Sequence, residues 1–177
     1  MDIWLSAKLL MPTKNNTNSQ SDGARLKIEI VSFAYKSKEL PKANLLFDVR
    51  FIDNPFWIEH LRPFNGLDKN VQDFVLKQNV ARHFLDAFGE MVKILIPMHA
   101  VSMSAKTGTA SEMDSVFTIA FGCTGGWHRS VAIAEESARQ MAKLFPQYLI
   151  KIRHTEIDED EIAPTTGKQV INEESRS

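Results

Sequence analysis

Hydrophobic and charged residues alternate from residue 25 to residue 33, with Leu26, Ile28 and Ile30 at every second position. A period of two puts these three side chains on one face of a β-strand, with that face toward a core. Three further runs rich in β-branched and aromatic residues predict strands over residues 45–51, 115–121 and 148–154. The chain therefore carries four predicted strands.

Apolar residues at spacings of three and four predict an amphipathic helix from Val71 to Phe88, with a break near Asn79. Asp68 comes just before this helix, and we expect its side chain to cap the first turn. The apolar pattern of residues 131–145 predicts another helix. Helices are thus predicted on both sides of the strand at 115–121.

Strands that alternate with helices predict an α/β domain with a mostly parallel sheet of about four strands flanked by helices. The conformation around Pro97 stays open, because a proline either kinks or ends a helix, and residues 104–114 are expected to form a surface loop. We expect the domain to occupy residues 25–155. A flexible leader of residues 1–24 precedes it, and an acidic, disordered tail of residues 156–177 follows.

Overall charge points to no particular partner: the net charge is −1 and the pI is about 6.5, which does not suggest a nucleic-acid binder. Cys123 is the only cysteine, so the chain forms no internal disulfide and fits a reducing cytoplasm. The N-terminal apolar run is too short for a signal peptide, and no other run is long enough to span a membrane. The sequence predicts a cytoplasmic protein with no membrane partner, no metal centre and no cofactor.

The candidate chemistry lies in residues 121–130, where a predicted strand passes through a glycine-rich turn into a predicted helix. Free N–H groups and the helix dipole point the same way there, which favours an anion such as phosphate. We expect the three glycines of this stretch to allow positive φ and a close backbone approach. Arg129 adds a fork of donors suited to phosphate, and His128 adds a second donor. The predicted ligand-binding residues are Cys123, Thr124, Gly125, Gly126, His128, Arg129 and Ser130.

Three further residues are candidates to stand beside these. Asp48 and Arg50 share one face of the second predicted strand, and two interpretations stay open. They either form a self-satisfying ion pair at the strand end or line the carboxyl edge of a parallel sheet, where ligands of open α/β folds bind. Lys36, in the loop after the first strand, either faces an anion or acts as a solubilising surface charge.

Cys123 and Arg129 also have the Cys-x5-Arg spacing of cysteine-dependent phosphatases. In those enzymes a thiolate attacks a phosphate that is held by backbone N–H groups and the arginine. Asp48 or Asp53 would then be the general acid. Gly122 stands where those enzymes have a histidine, and a cysteine at a strand end is most often a small buried hydrophobe. We therefore favour anion binding over catalysis.

At residues 122–130 the chain resembles the C-terminal domain of the RapZ family of bacterial RNase adapter proteins, whose motif is Gly-Cys-Thr-Gly-Gly-x-His-Arg-Ser. Further matches in the same order are Ser32-Phe33, residues 47–51, Asn54-Pro55, Trp57, residues 61–63 and residues 66–68. The resemblance implies a fold similar to a phosphofructokinase subdomain and a pocket for an amino-sugar phosphate, glucosamine-6-phosphate. It implies that this pocket is lined by Cys123, Thr124, Gly125, His128 and Arg129. In the full-length family the domain also binds small RNAs and an endoribonuclease.

Three departures from the family pattern shape the prediction. The chain lacks the family's N-terminal P-loop domain, so we expect a stand-alone form. Ser37 stands where the family has a ligand-contacting histidine. The family's basic, RNA-contacting tail is replaced by an acidic one, which begins at Glu156 and would repel RNA phosphates.

The sequence therefore predicts a regulatory binding module that senses a phosphorylated metabolite, specifically an amino-sugar phosphate, and that is not an enzyme. A protein partner and a homo-oligomer are compatible with this prediction, whereas the acidic tail argues against RNA. Two alternatives stay open: an RNA-binding RNase adapter, and a cysteine-dependent phosphatase.

Overall fold

A computed structural model of the chain describes residues 26–37, 39–106 and 116–157. The leader predicted for residues 1–24 lies outside the described residues. The predicted tail lies outside them too, apart from Glu156 and Ile157. The fold below therefore concerns the predicted domain and the first two residues after it.

Four parallel strands form one sheet, which confirms the predicted α/β class. The strands are β1 (Lys27–Ala34), β2 (Leu45–Asp48), β3 (Val116–Cys123) and β4 (Leu149–His154), in the spatial order β2-β3-β1-β4. The longest pairing joins β1 to β3, from Lys27 opposite Val116 to Ala34 opposite Cys123. Because all four strands run the same way, their carboxyl ends and the loops that follow meet at one edge of the sheet.

The second strand is shorter than predicted and ends at Asp48. The chain turns after this point, where the Ile52 N–H donates to the Val49 carbonyl at 3.3 Å. Arg50 therefore follows the strand, and the expectation that Asp48 and Arg50 share a strand face is wrong. The turn carries Arg50 into the loop at the carboxyl edge instead.

Three α-helices accompany the sheet: α1 (Lys69–Leu76), α2 (Asn79–Lys106) and α3 (Arg129–Leu144). The break expected near Asn79 is confirmed, since α1 ends before it and α2 begins at it. Pro97 lies inside α2 on its exposed side, so the carbonyl that it cannot bond faces the solvent side of the helix. Residues 104–106 belong to this helix, so the surface loop expected from residue 104 is wrong for them, and the rest of that expected loop lies outside the described residues. No helix in the described part of the chain is both long and apolar enough to cross a bilayer.

The three helices pack on one face of the sheet. Alternate strand residues, such as Ile30 of β1 and Ile119 of β3, join the main hydrophobic core with residues of all three helices. Residues of the opposite parity form a second, smaller cluster of Val31, Phe33 and Ala120, which Tyr35 and Ala43 partly cover. The strands do not strictly alternate with helices, because residues 35–44 link β1 to β2 with no helix among their described residues.

Aromatic rings anchor the carboxyl ends of β2 and β3 to α2. Phe121 of β3 is fully buried, with its ring centre 5.5 Å from those of Phe47 and Phe88 and 6.2 Å from that of Phe84. Burying an aromatic side chain of this size contributes roughly 2–3 kcal/mol. This cluster holds the end of β3, from which the glycine-rich turn departs.

Gly66 is expected to be indispensable for the contact between its loop and α3. Its N–H donates to the Trp127 carbonyl at 2.8 Å, and an added Cβ would lie 2.6 Å from Cβ of Val131 and 2.7 Å from the backbone nitrogen of Ala132. Gly66→Ala should therefore lower the free energy of unfolding in urea by about 1–3 kcal/mol. Gly125→Ala is the matched control, because its Cβ would meet nothing within 4 Å. Equal losses in the two variants would contradict this account.

Candidate anion-binding site

The glycine-rich turn, residues 124–128, joins the end of β3 to the start of α3 at the carboxyl edge of the sheet. Among the described glycines only Gly126 has a positive φ, of 66°, so the expectation for all three glycines of the motif is corrected. Gly122 lies inside β3, where an added Cβ would be 2.6 Å from Cε2 of Tyr35. Gly122 is needed for ring packing, Gly126 for the turn, and Gly125 stays open to solvent.

Backbone hydrogen bonds from two other loops fix the shape of this turn. Tyr35 and Lys36 donate their N–H groups to the carbonyls of Cys123 and Thr124, at 2.9 and 3.3 Å. Across the turn, the Gly66 N–H donates to the Trp127 carbonyl. Because the loops after β1 and before α1 both hold the turn, its remaining N–H groups and side chains are pre-positioned.

One side of the Arg129 guanidinium is bonded to the protein backbone, and the other side carries a donor without a partner. Its side chain is 6% exposed, and Nη1 donates to the carbonyls of Arg50 and Ile52 at 3.0 Å each. Nη2 reaches only the Thr124 hydroxyl, at 3.4 Å, and Nε is buried with no partner. The Nε and Nη2 donors lie side by side on the edge that binds carboxylates and phosphates bidentately. That edge of Arg129 is available to an anion.

His128 is 7% exposed, and its Nε2 is buried with no partner. Burial is the main cause that lowers its pKa, and the charge of Arg129 adds to this effect. Hydrogen bonds to the backbone of Arg62 and Phe64 act in the opposite direction. Since they favour the protonated ring, their acceptors are carbonyls, and the ring nitrogen that donates to them is Nδ1.

His128 is therefore neutral at pH 7, with its proton on Nδ1 and a lone pair on Nε2. The expected second donor to phosphate is corrected: this ring presents an acceptor. Among the described residues Nε2 has no donor, so this acceptor is free for a hydroxyl or ammonium group.

Asp48 and Arg50 form a bidentate ion pair, with Nη2 2.6 Å from Oδ2 and Nε 2.9 Å from Oδ1. The Arg50 guanidinium also stacks 4.2 Å from the centre of the Tyr35 ring. The hydrogen bond from Arg50 is the largest cause that lowers the pKa of Asp48, which favours the ionised carboxylate and disfavours the general-acid role. The ion-pair interpretation is confirmed, and the pair lies beside the carboxyl edge. The Lys36 side chain is exposed, next to its backbone contact with Thr124.

Cys123 and Ser130 meet beneath the turn. The Cys123 Sγ lies 3.2 Å from Oγ of Ser130, and both side chains are buried, with Cys123 in the main core. A nucleophilic thiolate needs access to its substrate, which this position does not provide. These two residues support the turn from below, while Thr124 and Gly125 form its exposed surface.

Several contacts at the site had no signal in the sequence pattern. Asp68 occupies the position before α1 but makes no side-chain cap; its Oδ2 accepts the Asn65 N–H at 2.8 Å, which shapes the Gly66 loop. The expected cap is therefore wrong, because the loop competes for the carboxylate. Trp57 remains 76% exposed beside Phe56, whose ring centre is 6.4 Å from that of His128.

Unsatisfied buried polar atoms distinguish this site from other surface features. In the described part of the chain three such side-chain atoms have no partner, and two of them, His128 Nε2 and Arg129 Nε, adjoin the turn. A shallow depression of about 700 Å³ lies beside α1, but its charged groups Asp73 and Lys77 already pair at 3.5 Å. Since buried donors and acceptors are almost always satisfied, the turn is the better candidate for a ligand site.

Burial of His128 predicts a pH-dependent loss of stability. A folded-state pKa below the ordinary 6.5 means that the unfolded chain binds the proton more readily, so the free energy of unfolding falls as pH is lowered below 6.5. One such group contributes a slope of at most about 1.4 kcal/mol per pH unit. His128→Gln should flatten urea-derived stability between pH 7.5 and 5.5, whereas His83→Gln, on an exposed residue, should not. An unchanged slope in His128→Gln would refute the assignment.

Comparison with known proteins identifies the chain's relatives. Residues 26–158 match the family model of the RapZ C-terminal domain. A nucleotide-binding protein of Caldanaerobacter subterraneus is 37% identical over 171 residues, which cover 90% of this chain and 56% of that protein. Nucleotide-binding proteins of Lactobacillus acidophilus and Corynebacterium diphtheriae are 39% and 41% identical, over 86% and 73% of this chain and 48% and 40% of their own lengths. The chain spans about half the length of these relatives. The resemblance carried by the glycine motif is thus confirmed, and the chain belongs to the RapZ C-terminal domain family.

Proposed function

We propose that this protein is a regulatory binding module for a phosphorylated metabolite, an amino-sugar phosphate such as glucosamine-6-phosphate. The observation that carries this proposal is the unoccupied Nε–Nη2 edge of Arg129 at the N-terminus of α3. A buried charged donor without a partner is costly, at about 1–3 kcal/mol or more, and a phosphate oxygen would satisfy it.

The surrounding groups match the other parts of such a ligand. Thr124 and Gly125 are exposed and supply a hydroxyl and a backbone N–H beside the Arg129 edge. The free lone pair of His128 Nε2 suits a sugar hydroxyl, which inorganic phosphate lacks. A phosphate with an attached polyol therefore satisfies more of the site than phosphate alone.

Membership of the RapZ C-terminal domain family supports a regulatory or adapter role. The relatives are named as nucleotide-binding proteins, and this chain corresponds to about half of each. A nucleotide is therefore a second candidate ligand, because its phosphates need the same donors. We further propose that the module acts in the cytoplasm through a protein partner.

Ligand binding should raise the melting temperature. At a hundred times its dissociation constant, glucosamine-6-phosphate should add about 2.7 kcal/mol, or about 5–10 °C for a domain of this size. Arg129→Lys keeps the charge and loses the bidentate edge, so it should remove most of this shift. Arg82→Lys, on an exposed residue of α2, is the matched control and should keep it. ATP in a parallel titration separates a nucleotide from a sugar phosphate.

The absence of a shift with any sugar phosphate at millimolar concentration would refute the proposed function. A rise in melting temperature with ATP alone would show that the ligand of the site is a nucleotide. The phosphatase alternative predicts aryl-phosphate turnover that Cys123→Ser abolishes. We expect no turnover, since the Cys123 sulfur is buried and Asp48 is ionised.

The RNase-adapter alternative requires RNA binding and has its own test. Filter binding of a small RNA at rising salt measures how many phosphates the protein neutralises. We expect weak binding with almost no salt slope, because the sequence turns acidic from Glu156 onward, which opposes contact with RNA phosphates. A slope that corresponds to several phosphate contacts would favour the adapter alternative.

A further inference from the structure

A second apolar stripe runs along α2, on the flank of the helix beside the stripe that faces the core. The core-facing stripe is buried and includes Leu85, Val92 and Ile96. The second stripe, here called the α2 stripe, follows alternating steps of three and four residues: Phe84, Ala87, Met91, Ile94, Met98 and Val101. This spacing keeps side chains on one side of a helix, so the α2 stripe forms a continuous line about 26 Å long.

The α2 stripe is partly covered at its start and open toward its end. The ring centre of Phe84 lies 6.2 Å from that of Phe121, within the aromatic cluster described above. Farther along the helix, Ile94, Met98 and Val101 are 63%, 64% and 71% exposed. Three large apolar side chains in a row differ from the isolated apolar residues that the surface of a monomeric protein normally carries. They mark a contact surface.

The spacing of the α2 stripe is that of the a and d positions of a coiled coil, where a helix packs against another helix with the same pattern. No charged residue interrupts the stripe. The nearby charges lie beside it, and Glu90 and Lys93 already form an ion pair with each other at 2.6 Å. The stripe therefore fits an apolar helix face better than a charged partner.

A second copy of this chain carries a helix with the matching pattern. Among the described residues the other helices do not supply one, because α1 has only eight residues and the apolar residues of α3 are buried in the core. Two α2 stripes related by a two-fold axis are self-complementary. With their flanking atoms, the exposed residues of both copies would bury about 1,000 Å² in total, which is the lower limit of a specific interface. A reversible dimer with a dissociation constant on the order of micromolar is therefore expected.

We propose that two copies of this chain form a dimer in which the α2 stripe of one copy packs against that of the other. The stripe also adjoins the loop that holds Arg129. Phe51 of that loop is 48% exposed, and its ring centre lies 5.5 Å from that of Phe84. It stands between Arg50 and Ile52, whose carbonyls accept from Arg129. The dimer therefore forms beside the support of the anion-binding turn, whatever ligand that turn binds.

Sedimentation velocity of the full chain between about 1 and 200 µM tests this interface. The mass should rise from 20.0 kDa toward twice that value as the concentration increases. Met98→Glu places a charge in the apolar contact of each copy, so it should raise the dissociation constant at least about 100-fold and leave the protein monomeric. Arg82→Glu, on an exposed residue away from the stripe, is the matched control and should form dimers as the wild type does.

Two results would overturn the proposal: a wild-type chain that stays monomeric up to the highest concentration, or a dimer whose dissociation constant is the same in Met98→Glu. Circular dichroism of each variant at low concentration checks that its fold is unchanged. If Met98→Glu fails to fold, Ile94→Ala takes its place, because it removes apolar surface from both copies without adding a charge. It should weaken the dimer about tenfold, and an unchanged affinity would equally overturn the proposal.

Discussion

The site depends on the two hydrogen bonds that Arg129 Nη1 donates to the carbonyls of Arg50 and Ile52. They join the loop after β2 to the first turn of α3, two segments nearly 80 residues apart in sequence. Charge-assisted bonds of this kind are about twice as strong as neutral ones, and their loss would leave two carbonyls without partners. Because one side of the guanidinium is committed to this contact, its Nε–Nη2 side is held in place beside Thr124.

The sheet makes this arrangement possible by collecting the relevant loops at one edge. Each strand is parallel to its neighbours, so the ends of β1, β2, β3 and β4 deliver their loops to the same region. The phenylalanine cluster around Phe121 supports that region from inside the core. Although β2 has only four residues, its pairing with β3 is enough to place Asp48 and the following turn beside the end of β3.

The fold class and the position of the site follow from local sequence, whereas the chemistry of its side chains does not. Alternating apolar residues and a glycine turn are short-range signals, and they predicted the strands, α3 and the turn that joins β3 to α3. The pKa of His128 depends on burial and on backbone groups more than 60 residues away, and Glu156 bonds the hydroxyl of Ser37. The helix cap expected of Asp68 is wrong for the same reason, because its carboxylate accepts the Asn65 N–H instead. Such tertiary partners have no fixed spacing along the chain.

Two separate constraints, one on the backbone and one on packing, apply to Gly126. Its positive φ shapes the turn between β3 and α3, and its missing side chain makes room for Glu156. A glycine is therefore required at this position both by the turn and by the Glu156 side chain. Positions 37, 126 and 156 are therefore expected to covary among related sequences. A substitution in the turn would be accompanied by a change in the residue that follows the last strand.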